Sequence, residues 1–310
     1  MFSVIFPGQG SQFVGMTKDL YNKFDYVKKI YNHADEILNF PLSKIILEGP
    51  DNKLKLTENT QPAIFLVSYS IFKLTNDEFG INLNKANFFA GHSLGEYTAL
   101  ACSSCLSFED TLKILKIRGK AMQNAVPDNQ GGMTAILGSS IETIEKLINN
   151  NKENFQCYIA NDNSNQQIVI SGYNKDLDLM SDVLKKNKIK NIKLPVSAPF
   201  HCKLMEPAKY ELKKVLDNIK FNNFENKIVS NVTAKTVNKP EDLNNLLIDQ
   251  IESRVRWRES VNFIINNKNS NFIEIGPGKV LSNLIKRIDN NVKVSAINNE
   301  EDISEELTND

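Results

Sequence analysis

A charge excess, a long apolar run and a cysteine framework are all missing from this chain. Lysine plus arginine and aspartate plus glutamate number 37 each, so no net charge draws it toward nucleic acid or an anionic membrane surface. No apolar stretch approaches the length of a bilayer span. The opening run Met1–Phe6 stops at Pro7-Gly8 without a basic leader, too short for a signal peptide. The expectation is a soluble, cytoplasmic protein. Cys102 and Cys105 have Cys-x-x-Cys spacing, but they are expected inside one helix, where neither a redox pair nor half a zinc site belongs. Cys157 and Cys202 stand alone, so all four read as buried thiols and no metal is expected. No internal repeat and no glycine- or serine-rich linker occurs. The 310 residues suggest two domains, or one with an insertion, and a core that needs no disulfide or metal.

Histidine is also scarce: His33, His92 and His201 are the full set. One of them adjoins the most informative stretch, Phe88-Phe89-Ala90-Gly91-His92-Ser93-Leu94-Gly95-Glu96. Asn87 to Gly91 reads as a buried strand and Leu94 onward as a helix, with Gly-x-Ser-x-Gly at the junction. A serine on so sharp a turn needs small neighbours, here Gly91 and Gly95, and its hydroxyl is pushed out at the sheet edge. The Leu94 N–H points toward whatever Ser93 attacks, and Glu96 complements the helix dipole. Such a nucleophile needs a base. His33 belongs to an amphipathic surface helix, and the tight turn directs His92 away from the serine hydroxyl. His201, on the proline-stiffened loop Pro199-Phe200-His201, remains as the candidate.

The first strand, Phe2–Phe6, runs into Pro7-Gly8-Gln9-Gly10-Ser11-Gln12, which lacks the Gly-Lys-Ser/Thr ending of a phosphate loop. A loop there can instead supply a second oxyanion N–H, with Gln9 or Gln12 lining the pocket. Thr17–Asn39 and Thr60–Asn76 read as covering helices. Ser107-x-x-Asp110 starts a helix to about Asn124, on which Ile114, Arg118 and Met122 share a face. Arg118 there either snorkels to water or binds an anion, and the sequence leaves both open. From Gly132 to about Pro195 the order is strand, helix, strand, a turn at Asn161–Asn165, strand, helix, strand, which is the ferredoxin-like unit. Lys227–Ser230 and Asn271–Ile275 return as sheet strands, and the acidic tail from Asn298 to Asp310 is expected to fray.

Together these pieces resemble the malonyl-CoA:acyl carrier protein transacylases of fatty-acid synthesis and the related polyketide acyltransferase domains. The resemblance runs over roughly residues 2–297. It is carried by Phe6-Pro7-Gly8-Gln9-Gly10-Ser11-Gln12, Gly91-His92-Ser93-Leu94-Gly95-Glu96-Tyr97, Arg118-Gly119-Lys120-Ala121-Met122-Gln123, Pro199-Phe200-His201-Cys202-Lys203-Leu204-Met205, Val255-Arg256-Trp257 and Glu274-Ile275-Gly276-Pro277-Gly278. It implies an α/β-hydrolase-like main domain, residues 1–130 and 196–310, with a ferredoxin-like subdomain inserted at 131–195. By position it makes Ser93 the nucleophile, His201 the base, and the N–H groups of Gln9 and Leu94 the oxyanion hole. Arg118 would bind the malonyl carboxylate, and the Gln250 main-chain carbonyl would orient the histidine in a Ser–His dyad with no acidic third member. Asn161, Asn163 and Phe200 are candidate substrate-lining residues. Asp162 stands where an apolar residue is common. The implied reaction is ping-pong transfer of malonyl from malonyl-CoA to the phosphopantetheine thiol of an acidic acyl carrier protein, with no permanently bound cofactor. Lys286 and Arg287, with Arg254, Arg256 and Arg258, are candidates for the docking surface, and a monomer is expected. The competing readings are a serine thioesterase or hydrolase, which passes the acyl group to water, and a non-catalytic carrier-binding subunit.

Overall fold

A computed structural model describes residues 1–196, 198–224 and 226–308. Among the described residues the strands form two sheets. The larger joins β1 (Ser3–Phe6), β2 (Phe88–Gly91), β7 (Lys227–Val229), β8 (Asn271–Ile275) and β9 (Lys293–Ile297) in the order β7-β2-β1-β8-β9, with every pair parallel. Parallel strands covered on both faces must be apolar throughout, which explains the unbroken runs at Val4–Phe6 and Phe88–Ala90. Side chains alternate between the two covers. Val4, Phe6 and Phe89 enter the large core shared with the helices Thr57–Asp77 and Phe108–Asn124, whereas Ile5, Phe88 and Ala90 meet Trp257, Val261 and Leu281 on the other face.

The smaller sheet has β3 (Gly131–Leu137), β4 (Cys157–Ser164), β5 (Gln167–Tyr173) and β6 (Lys190–Lys193) in the antiparallel order β4-β5-β3-β6. One face packs Ile136, Ile168 and Ile170 against Ile144, Leu177, Met180 and Leu184 of the helices Ile141–Asn150 and Asn174–Lys186. The other face, through Met133, Ala135 and Val169, joins the large core.

Several local expectations are corrected. The turn expected at Asn161–Asn165 is strand as far as Ser164, with register shifts between Ile159 and Asn161 and between Asp162 and Ser164. A polar Asn-Asp-Asn-Ser run has weak strand propensity. It is held extended by tertiary bonds, with the Asp162 N–H on the Val255 carbonyl at 2.9 Å and the Val255 N–H on the Ala160 carbonyl at 2.8 Å. The helix expected over Thr17–Asn39 breaks at Phe24, whose backbone is extended, giving Lys18–Lys23 and Asp25–Leu38. Cys105 lies beyond the helix that ends at Cys102. The tail forms a helix, Glu300–Thr308, anchored by the buried Ile303, while Asn309 and Asp310 lie outside the described residues. Strand β9 was not anticipated. Among the described residues no helix is long and apolar enough to cross a membrane.

Candidate active site

The C-terminal ends of β1, β2 and β7 converge on Ser93. Strand β2 turns into the helix Leu94–Cys102 through Ser93 itself, whose φ of 54° and ψ of −109° hold it off the ordinary backbone regions. Such a conformation costs on the order of 1–3 kcal/mol and persists only where the surroundings enforce it. The enforcement is visible in the glycines. A Cβ at Gly91 would lie 2.0 Å from the Gly95 carbonyl, and one at Gly95 would lie 2.2 Å from the Phe6 carbonyl oxygen. Asn231, just beyond β7, staples the turn. Its Oδ1 accepts the Ser93 N–H at 2.7 Å and its Nδ2 donates to the Gly91 carbonyl at 2.7 Å.

Ser93 Oγ lies 2.8 Å from His201 Nε2. The other ring nitrogen, Nδ1, is 2.9 Å from the Gln250 main-chain oxygen, which can only accept. Nδ1 therefore carries the proton and Nε2 presents its lone pair to the serine O–H. Burial, and after it the charge of Arg118, pushes the His201 pKa down to about 3, so the imidazole is neutral in the resting site. His201 itself has a φ of 57°.

Arg118 resolves the choice left by the sequence: it does not snorkel. It is 1% exposed, lies beneath the cleft, and places its guanidinium carbon 5.3 Å from the Tyr97 ring centroid. Nη1 donates to Gln61 Oε1 at 2.8 Å, and Nη2 donates to Ser93 Oγ at 3.1 Å and to Gln250 Oε1 at 2.8 Å. Its buried Nε makes no hydrogen bond among the described residues, and the Tyr97 side chain lies beside the guanidinium. Burial lowers its pKa from the ordinary value, but a guanidinium retains its charge at neutral pH.

A cavity of about 140 Å³ opens above Ser93, walled by Gln9, Leu94, Asn161, Asn163, Phe200 and His201, with Met133, Val169 and Leu194 of the smaller-sheet region opposite. Gln9 and Leu94 both line this cavity, and their N–H groups donate to no acceptor among the described residues. His92 turns away from the Ser93 hydroxyl. Its Nε2 meets Asn163 Oδ1 at 2.9 Å, and its pKa is lowered by burial. His33 is exposed and pairs with Glu109 at 3.0 Å.

The basic residues divide. Arg254 pairs with Glu145 and Glu259, Arg256 with Glu259, and Arg258 with Asp162. Lys286 is exposed and donates to the Val292 carbonyl, and Arg287 is exposed without a carboxylate partner among the described residues. Sequence reasoning missed Asn231 and Gln61. It also missed the side-chain role of Gln250, and it assigned Glu96 only to the helix dipole. The signal for Asn231 and Gln61 was slight, because a lone polar residue in a loop or helix acquires meaning only from the strand order that brings it to Ser93.

Residues 3–301 match the acyl transferase domain family. The chain is 42% identical over 301 residues to a malonyl CoA-acyl carrier protein transacylase of Bacillus subtilis, covering 96% of this chain and 94% of the relative. A crystal structure of an acyl-carrier-protein S-malonyltransferase from Bartonella henselae superposes with a TM-score of 0.96 at 38% identity, covering 99% of each chain. A malonyl-transacylase solved in complex with a type II polyketide synthase acyl-carrier protein gives a TM-score of 0.95 at 35% identity, covering 100% of this chain and 99% of that one. The chain belongs to the acyl transferase domain family and, within it, to the malonyl CoA-acyl carrier protein transacylases.

Proposed function

We propose that the protein moves a malonyl group from malonyl-CoA to the phosphopantetheine thiol of an acyl carrier protein, through an ester on Ser93, and so supplies malonyl thioester for fatty-acid elongation. The observation that carries this is one oxygen with two partners: Ser93 Oγ faces the neutral Nε2 of His201 at 2.8 Å and the Nη2 of Arg118 at 3.1 Å. The first partner can take the hydroxyl proton. The second stands where the far end of a short acyl group, once attached to that oxygen, can turn its carboxylate.

His201 removes the Ser93 proton as Oγ bonds to the thioester carbonyl carbon. The N–H groups of Gln9 and Leu94 hold the resulting oxyanion, worth about 3 kcal/mol per donor in comparable sites. The carbon–sulfur bond breaks, the CoA thiolate leaves with the proton from His201, and a malonyl-serine ester remains. The carrier thiol then gives its proton to His201 and attacks the ester, and Ser93 Oγ leaves with that proton. Arg118 selects the acyl group: it gives up its contact with Ser93 Oγ and turns its donors to the two oxygens of a carboxylate while Gln250 Oε1 still holds the guanidinium, a grip lysine cannot copy. Asn161, Asn163 and Phe200 shape the wall, with the Gln250 carbonyl fixing the base. No bound cofactor is part of this scheme, and CoA enters and leaves as substrate and product.

We divide the chain at 1–130 and 196–310 for catalysis and 131–195 for the inserted layer, which supplies the cleft wall opposite Ser93 through Met133 and Val169. Lys286 and Arg287 are the docking candidates for the acidic carrier. Arg254, Arg256 and Arg258 are set aside, because carboxylates already hold them. The enzyme is placed in the cytoplasm with its soluble thioester and carrier. Arg118→Ala tests the assignment of specificity. Malonyl transfer is expected to fall by about a hundredfold, the worth of a lost charge-assisted carboxylate contact of about 3 kcal/mol, while acetyl transfer holds or rises. Equal loss of both would sink the role of Arg118.

A further inference from the structure

We propose that Glu96 is a positioning residue for the transfer reaction: it locks the side-chain amide of Gln250 in one orientation and thereby ties carboxylate recognition at Arg118 to the base at His201. The proposal rests on the roles given to Arg118 and His201 above.

The Glu96 side chain is 1% exposed in the first turn of the helix that follows Ser93. Its Oε2 accepts the Gln250 Nε2 amide at 2.6 Å and the Asn231 main-chain N–H at 3.2 Å. The other end of the same amide, Gln250 Oε1, accepts Arg118 Nη2 at 2.8 Å. An ionised Glu96 only accepts and a guanidinium only donates, so above the Glu96 pKa one of the two orientations of the Gln250 amide satisfies both neighbours. The flipped amide would set its NH₂ against the Arg118 N–H groups and its oxygen against the Glu96 carboxylate, two repulsive contacts in a dry interior. Gln250 Nε2 also donates to the Ser93 main-chain oxygen at 3.1 Å, and the Gln250 main-chain oxygen accepts His201 Nδ1 at 2.9 Å. One residue thus touches the nucleophile's peptide, the base and the anion-binding side chain, and Glu96 decides which way it faces.

A second observation separates this from a packing role. Glu96 Oε1 is buried without a hydrogen-bond partner among the described residues. Burial, opposed by the bonds from Gln250 and Asn231, by the Arg118 charge and by the Ser230 side chain beside it, pushes the Glu96 pKa up to about 7. A carboxylate buried this deeply is a poor device for holding a fold, where an apolar side chain of the same size would serve better. The arrangement makes sense where the side chain sets the geometry of its neighbours.

The test is the ratio of kcat/KM for malonyl-CoA to that for acetyl-CoA, measured with the acyl carrier protein as acceptor. Glu96→Leu is expected to lower the ratio about tenfold through loss of the fixed guanidinium, with the malonyl KM rising. Glu96→Gln presents a carbonyl oxygen to the same amide and is expected to keep the ratio within about threefold of the parent. Gln250→Met retains the main-chain carbonyl for His201 and removes both amide contacts. It should match Glu96→Leu, and the double variant should lose no more than either single one. An unchanged ratio in Gln250→Met, or in Glu96→Leu with a cooperative thermal melt, would overturn the proposal. Gln250→Met decides the matter by itself if Glu96→Leu does not fold. Arg118→Ala in the same assay separates the two claims. A ratio that collapses there but not in the Glu96 and Gln250 variants removes the coupling alone, and a ratio unmoved in Arg118→Ala removes both.

Discussion

At Ser93 one hydroxyl oxygen is shared between a neutral imidazole and a buried guanidinium, and the two neighbours act on each other as well. The charge of Arg118 adds to burial in holding His201 unprotonated. In the proposed reaction a substrate carboxylate on Arg118 offsets that charge, so the acyl group that fits would also make the base stronger. Stability should record the same burial. The ordinary histidine pKa of 6.5 falls to about 3 at His201 in the folded chain. Between those values the unfolded chain binds a proton that the folded one refuses. The stability that depends on neutral His201 is therefore present above pH 6.5 and lost as the pH falls toward 3. His201→Asn removes this term. Urea unfolding at about pH 6.5 and about pH 4.5 should show a smaller loss in the variant than in the parent. Equal losses would mean that His201 is not held neutral by the fold.

Among the elements, β4 and the helix Trp257–Asn266 show what the departure at Asp162 does. Asp162 is fully buried, and Arg258 grips it through Nε at 2.9 and 3.1 Å and through Nη2 at 2.9 Å. Alternation along the strand sends Asn161 and Asn163 to the cleft while Asp162 faces Arg258, so the pair seats two lining residues from behind. Arg258→Leu should cost about 3 kcal/mol by stranding a buried carboxylate, and adding Asp162→Leu should recover most of it. Chemical denaturation of the two variants checks this, and a single variant as stable as the parent would show the pair to be idle. The same strand marks a limit of sequence reading. The Ser93 turn was legible because glycine spacing and apolar runs are local signals, and the helix Phe108–Asn124 was legible from its shared face and its Ser107 cap. The Ser107 hydroxyl does accept the Asp110 N–H at 2.9 Å. Asn161–Ser164 looked like a turn because polar residues predict one, and bonds to Val255, distant in sequence, override that preference. The short, half-exposed β9 is fixed by pairing with β8 and carries little pattern of its own.

The whole molecule brings together parts that lie far apart in the chain. The loop after β1 brings Gln9, the β2 turn brings Ser93 and Leu94, and the segment after β7 brings Asn231. His201 arrives on the segment returning from the smaller sheet, and Gln250 from the helix Glu241–Gln250. Ser93, His201, Arg118 and Gln250 were each legible, the serine from its turn and the others chiefly through motif resemblance. Their bonding partners Glu96, Gln61 and Asn231 were not, because those contacts exist only once the strand order is set. The central claim is that this assembly carries a malonyl group covalently and hands it to a thiol. Intact-mass analysis after mixing the protein with malonyl-CoA, with and without phosphopantetheinylated acyl carrier protein, tests it most directly. The expected result is a malonyl adduct on the Ser93 peptide that persists alone, moves to the carrier when it is added, and is absent in Ser93→Ala. An adduct lost to water at the same rate with or without carrier would contradict transfer and identify a hydrolase, and a protein that never acquires the adduct would contradict the covalent step itself.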